Sequence, residues 1–263
     1  MKVGLALSGG GARGIAHLGV LKALDELGVE VHEISGASAG SIAAALYTHG
    51  YSPEEALDII SKTSLLKAVW PAFSLSGLLS TAKGEAIIAK YLESDSFAQA
   101  DRPLKVVATN LNTGRAEVFT SGSLVKSLMA SSCIPFMFEP VKIGGQTYVD
   151  GGIVNNLPAE CLRESCDLVI GVNVVPVIPQ DEIGGVKKMI ERVSMIALSA
   201  NVHASGKLCD ILITPRELRK YGTLDIKYAK DIFEIGYEYA HHVFEIDREE
   251  APIKRLLGDK SYL

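Results

Sequence analysis

Three short stretches carry residue types that could do chemistry. In "LSGGGARGIAHLG", residues 7–19, five glycines fall directly after the apolar run "KVGLAL". A bare backbone between a strand and a helix exposes N–H donors to an anion. Two anions suit it. Gly9, Gly11 and Gly14 fit the spacing G-x-G-x-x-G, which would cradle a bound phosphate and could recruit Glu33, nineteen residues beyond Gly14, as the ribose acid of a dinucleotide site. The same loop could instead meet a transient oxyanion, and that chemistry needs a nucleophile nearby.

The second stretch, "SGASAGS" at 35–41, supplies one. Gly36-Ala37-Ser38-Ala39-Gly40 is G-x-S-x-G, set between a short apolar strand and the alanine-rich run "SIAAALYTHG". The flanking glycines permit a strained strand-to-helix turn that lifts the hydroxyl above the sheet, while the following helix aims its first N–H groups at the same spot. A serine hydroxyl is a poor nucleophile until something accepts its proton. His17 falls on the first helical pattern in phase with Leu21 and Leu24, which is a packing position, and His32, His49 and His203 sit at the ends of elements. His241 and His242 are adjacent on one helix and point to different faces, and no ligand spacing such as H-E-x-x-H suggests a metal. The third stretch, "YVDGGIVNNLP", holds the better base: Asp150 ends an apolar strand, and Gly151 and Gly152 turn the chain sharply away. Alone, D-G-G reads as an ordinary turn.

The elements that must position these residues alternate between short apolar strands and helical patterns, which predicts an α/β fold with a mostly parallel central sheet and helices on both faces, a three-layer α/β/α arrangement. Strands are expected at 2–8, 32–36, 104–111, 116–121, 146–151, 167–174 and 210–215, and helices at 14–27, 39–49, 53–63, 83–93, 123–131, 182–203 and 228–245. Ser52 should cap the third helix with Pro53 at its first position. The apolar segment 64–82, broken by Pro71 and Gly77, reads as a loop or lid with an apolar inner side. With 263 residues and 48% hydrophobic content, the chain should form one large domain, its motifs lying within about 2–175 and its C-terminal part mainly helical.

Taken in order, "GGGARG", "GASAG" and "DGG" resemble the patatin-like phospholipase family, in particular bacterial members related to the esterase domain of neuropathy target esterase. The resemblance runs from about residue 2 to about residue 175 and includes "ASSCIPFMFEPV". It implies that Gly9, Gly10 and Gly11 form an oxyanion hole with Arg13 and Gly14 beside them, that Ser38 attacks an ester carbonyl, and that Asp150 completes a Ser-Asp dyad without histidine. Gly36, Gly40, Gly151 and Gly152 would support the two turns. Arg13 is expected to brace the loop or nearby carboxylates instead of touching substrate.

The implied substrate is a fatty-acyl ester of a phospholipid or lysophospholipid, though the bare chemistry admits other carboxylic esters and thioesters. Apolar 64–80 and "CIPFMF" at 133–138 would suit an acyl chain or serve equally as core. A dinucleotide-binding reading explains the first glycine cluster and leaves the other two motifs as accidents. A non-catalytic lipid-binding or scaffolding chain would be expected to lose Ser38 or Asp150, and both are present. Composition narrows the partners: a formal charge of −5 with scattered Lys and Arg gives no footprint for nucleic acid. Any membrane contact should be peripheral, because no window approaches the ~18 apolar residues of a span. No cofactor or metal is expected, and Cys133, Cys161, Cys166 and Cys209 lack C-x-x-C spacing, which fits reduced thiols in a cytoplasmic protein.

Overall fold

Strand β1 (Val3–Leu7) is buried along its whole length, and its neighbours on both sides run parallel to it. The computed structural model describes residues 1–62, 81–92, 94–135, 138–176, 184–247 and 250–258. Around β1 stand β2 (Val31–Ala37), β3 (Leu104–Asn110), β4 (Arg115–Phe119), β5 (Val141–Ile143), β6 (Gln146–Val149), β7 (Leu168–Val172) and β8 (Ile211–Ile213), in the order β5-β6-β3-β2-β1-β7-β8 with β4 beside β3. β3, β2, β1, β7 and β8 are mutually parallel, whereas β4, β5 and β6 make an antiparallel end. Leu5 and Leu7 join the main core, while Ala6 packs with Leu157, Leu162, Val169 and Val202 in a second apolar cluster. Side chains alternate across a strand, so both faces of the sheet are covered.

The helices are α1 (Ala16–Glu26), α2 (Ala39–Thr48), α3 (Pro53–Lys62), α4 (Ala82–Ile88), α5 (Leu124–Ser132), α6 (Gly152–Asn155), α7 (Gly185–Gly206), α8 (Ala229–Ile246) and α9 (Ala251–Leu257). α3 opens as the sequence predicts: Ser52 Oγ accepts the Glu55 N–H while Glu55 Oε2 accepts the Ser52 N–H, a capping box with Pro53 first in the helix. Three short elements escape the periodicity. β5, α6 and α9 span three, four and seven residues, too few to show a repeat. The first helix is also entered differently, through a 3-10 turn at Gly11–Ile15 before α1 begins. Residues 64–80 of the expected lid lie outside the described residues.

One edge of β3 is shared. Val106 and Val107 pair with both β2 and β4, so those two strands lie on opposite edges of β3; Thr109 and Asn110 pair with both β4 and β6, so β6 takes the edge that β2 occupies. β2 runs parallel to β3 and stops opposite Val107, while β6 runs antiparallel and stops opposite Thr109. Their carboxyl ends therefore meet head to head, and the next residues are Ser38 and Asp150. Two elements remote in sequence deliver these side chains to one point by strand pairing alone.

The C-terminal region is fastened to this frame where α8 crosses α1. A Cβ at Gly236 would stand 2.1 Å from the Ala16 carbonyl oxygen, and one at Gly19 would stand 2.0 Å from that of Phe233. Only a bare backbone fits so close. Gly236→Val is expected to force the helices apart at a cost of about 1–3 kcal/mol or more, lowering the thermal midpoint by several degrees. A calorimetric melt unchanged from wild type would contradict this packing.

Candidate active site

Ser38 has φ 50° and ψ −125°, and among the described residues no other non-glycine residue has positive φ. Such a backbone costs on the order of 1–3 kcal/mol and persists only where its surroundings over-determine it. Here they do. The Ser38 carbonyl accepts the N–H groups of Ser41 and Ile42 and the Ser41 hydroxyl, and the Ser38 N–H donates to Ser131 Oγ at 2.8 Å. Gly40 lets the first turn of α2 rest on the end of β1, since a Cβ there would lie 2.4 Å from the Leu7 carbonyl oxygen. Gly14 and Gly36 pack against Ala39 and Ser41 of the same turn.

Ser38 Oγ donates to Asp150 Oδ2 at 2.6 Å, and both residues are nearly buried. Asp150 is anchored from three sides: its N–H donates to the Cys133 carbonyl, its carbonyl accepts the Thr109 hydroxyl, and Oδ1 accepts the Gly152 N–H at 2.8 Å. Gly151 lies against the Val107 carbonyl and donates its N–H to Ser131 O at 3.1 Å. Burial raises the Asp150 carboxyl from the usual 3.8 to about 6, against the partial opposing pull of the Ser38 hydroxyl and the Gly152 N–H. The carboxylate is thus ionised at neutral pH yet more basic than an exposed one. It can take the Ser38 proton as Oγ attacks an electrophile.

The glycine loop leaves β1 beside this pair. The Gly9 N–H is already used, donating to the Asn156 carbonyl at 3.2 Å, and the Ala12 N–H donates to the Thr223 carbonyl at 2.7 Å. Between them, the N–H groups of Gly10 and Gly11 have no hydrogen-bond partner among the described residues. Gly11 needs its lack of a side chain twice over, with φ +60° and a Cβ position 2.3 Å from the Thr223 carbonyl oxygen, while Gly10 lies against Val174. Arg13 is buried, and its Nε donates to the Tyr221 carbonyl at 2.7 Å. The loop is clamped by backbone carbonyls of the C-terminal segment, which no motif announces.

Among the described residues, no histidine hydrogen-bonds to Ser38 or Asp150. His17 is fully buried in α1 with Nε2 at 2.7 Å from the Ser8 carbonyl, and burial lowers its pKa to about 4, leaving a neutral ring that supports the start of the loop. Glu33 pairs in register with Gly4 and is ion-paired to Lys105 at 2.9 Å. Five residues of extended chain, roughly 15 Å, separate Gly4 from Gly9. Glu33 therefore cannot reach a ligand at the loop, and the dinucleotide reading loses its ribose acid. Cys133 and Phe138 of "CIPFMF" sit in the main core, with Ile134 against it; residues 136 and 137 lie outside the described residues. Among the described residues, no cluster of His, Cys, Asp and Glu could hold a metal.

The sequence model of patatin-like phospholipases matches residues 5–162, which contain the loop, the elbow and Asp150. This chain belongs to the patatin-like phospholipase family. An uncharacterized NTE family protein of Mycobacterium tuberculosis is 32% identical over 66% of this patatin-like chain and 49% of its own length. Lysophospholipase NTE1 of Kluyveromyces lactis is 26% identical over 97% of this chain and 20% of its own. The chain thus spans about half the length of the first relative and a fifth of the second. In backbone, VipD from Legionella pneumophila covers 89% of this patatin-like chain and 66% of its own at a TM-score of 0.47 and 16% identity.

The Asp150 carboxyl sets the expected pH response. Labelling of the protein by a fluorophosphonate should be half-maximal near pH 6 and fall about tenfold per unit below it, because only the ionised carboxylate accepts the proton. The folded pKa is raised, so ionisation opposes folding, by about 3 kcal/mol once the pH exceeds 6. Asp150→Asn should therefore raise the melting temperature at pH 8 and lose that advantage near pH 4. A labelling midpoint near about 4, the range of an ordinary carboxylate, would contradict the buried base.

Proposed function

We propose that this chain is a serine hydrolase of fatty-acyl esters, acting on phospholipids or lysophospholipids through Ser38 and Asp150. The observation that carries the reading is the 2.6 Å hydrogen bond from the strained Ser38 to a buried carboxylate, next to a loop whose Gly9 packs against Ser38 and whose Gly10 and Gly11 N–H groups have no partner among the described residues. Ser38 Oγ attacks the ester carbonyl carbon and its proton passes to Asp150 Oδ2. The carbonyl oxygen, now negative, is met by the Gly10 and Gly11 donors, each typically worth ~10²–10³ in rate. Gly9 supports these donors through Asn156. Collapse of the intermediate breaks the carbon–oxygen bond, and the departing alcohol takes the proton from Asp150. Water then attacks the acyl-serine, gives a proton to the carboxylate and releases the fatty acid as Ser38 recovers its hydrogen.

Lipid as the substrate class is supported by family membership. Contact with a lipid surface belongs to the same proposal. α7 exposes Met189, Val193 and Ile196 on one face, continued by Ala197, Ala200 and Ala204, and Asn201 of this helix binds the Gly152 carbonyl and the Asn156 N–H. No helix among the described residues is long and apolar enough to cross a membrane. The four cysteines are free thiols, with Cys133 pushed by burial to about 12, which suits a reducing compartment. We treat residues 1–263 as one working unit, because Thr223 and Tyr221 hold the loop that the N-terminal half supplies.

Hydrolysis of a lysophospholipid and of a soluble short-chain acyl ester should both be lost in Ser38→Ala and fall by ~10²–10⁴ in Asp150→Asn. Single Gln replacements of His32, His49, His203, His241 and His242 should leave turnover within a small factor. A folded variant of any of these as inactive as Ser38→Ala would replace the dyad with a triad. Turnover of only the soluble ester by the wild type would narrow the substrate to non-lipid esters.

A further inference from the structure

Ser131 lies in the last turn of α5 and is fully buried. A serine near the end of a helix commonly turns its hydroxyl back onto the carbonyl four residues earlier. Ser127 of the same helix does so, bonding the Ser123 carbonyl at 2.8 Å. Ser131 does not. Its hydroxyl crosses to the sheet, accepting the Ser38 N–H at 2.8 Å and donating to the Val107 carbonyl at 2.6 Å. It occupies the place where β2 stops pairing with β3, bridging the two strands just as the chain turns into the elbow. Its main chain serves the other partner: the Ser131 carbonyl accepts the Gly151 N–H, and two residues on, the Cys133 carbonyl accepts the Asp150 N–H.

We infer that Ser131 is a positioning residue that holds Ser38 against Asp150, its hydroxyl fixing the backbone of the nucleophile while its main chain fixes the turn after the base. The inference rests on the Ser38–Asp150 reading. Without the hydroxyl, the Ser38 N–H and the Val107 carbonyl lose their shared partner and the elbow is free to drift. A small displacement of a reacting group is enough to cost up to about 10²-fold in rate.

Ser131→Ala is expected to lower kcat on a soluble acyl ester by about 10–10² with little change in KM. It should also move the acid limb of the pH profile above its wild-type midpoint near 6, because the Ser38 hydroxyl lowers the Asp150 pKa and a loosened contact relaxes that pull. Ser131→Cys fills the space with a poor hydrogen-bonding group and should be impaired like alanine; it carries the test if the alanine variant does not fold. Full recovery of kcat in the cysteine variant would show that volume alone is at stake and would overturn the inference. So would a folded Ser131→Ala protein of wild-type kcat, or one with reduced kcat and an unmoved acid limb. Failure of the wild type to hydrolyse any acyl ester would instead overturn the underlying function.

Discussion

The site depends on the way β2 and β6 share one edge of β3. Each strand fills part of that edge and ends where the other begins, so the residues that follow, Ser38 and Asp150, are brought within hydrogen-bonding distance although 112 positions separate them. β2 cannot run further without meeting β6. The chain must turn at once, and the turn is taken by a serine at positive φ instead of by one of the glycines on either side. Strain at Ser38 follows from the sheet, and the close packing of Gly36 and Gly40 against α2 and β1 holds it.

The same crowding sets the electrostatics. A carboxylate placed in an interior with few donors is pushed upward, and among the described residues Asp150 receives only the Ser38 hydroxyl and the Gly152 N–H on its oxygens. That is enough to keep it ionised at neutral pH and too little to make it a weak base. The fold accepts a buried charge that opposes its own stability, a pattern common where a residue is kept for chemistry. Around it, backbone groups do most of the holding: the carbonyls of Cys133 and Ser131 each take an N–H from the turn at Asp150, and those of Asn156 and Thr223 each take one from the glycine loop.

Much of this was legible in the sequence. The alternation of apolar strands and helical patterns predicts the mostly parallel sheet with both faces covered, and β2, β3, α2 and α8 begin and end within a residue or two of expectation. Ser38 and Asp150 were readable because each sits in a turn that only glycine neighbours allow. The antiparallel end of the sheet was less so, since β5 is too short to show alternation and nothing local tells which edge of β3 it approaches through β6. Ser131, Asn156 and Thr223 were invisible for a different reason. They act through a hydroxyl or a carbonyl that any residue pattern can carry, and only the fold decides which N–H they meet. Of the three loop glycines expected to offer an N–H to an oxyanion, Gly9 has its N–H on the Asn156 carbonyl for that reason.

The account's central claim is that one serine, one carboxylate and two loop amides suffice. A crystal structure of the protein after reaction with a fluorophosphonate tests it most directly. The account predicts phosphorus on Ser38 Oγ, with the phosphoryl oxygen accepting from the Gly10 and Gly11 N–H groups, Asp150 beside the ester oxygen, and the Ser38 N–H still on Ser131. An adduct on another residue, a phosphoryl oxygen turned away from the glycine loop, or a histidine hydrogen-bonded to Asp150 would contradict it.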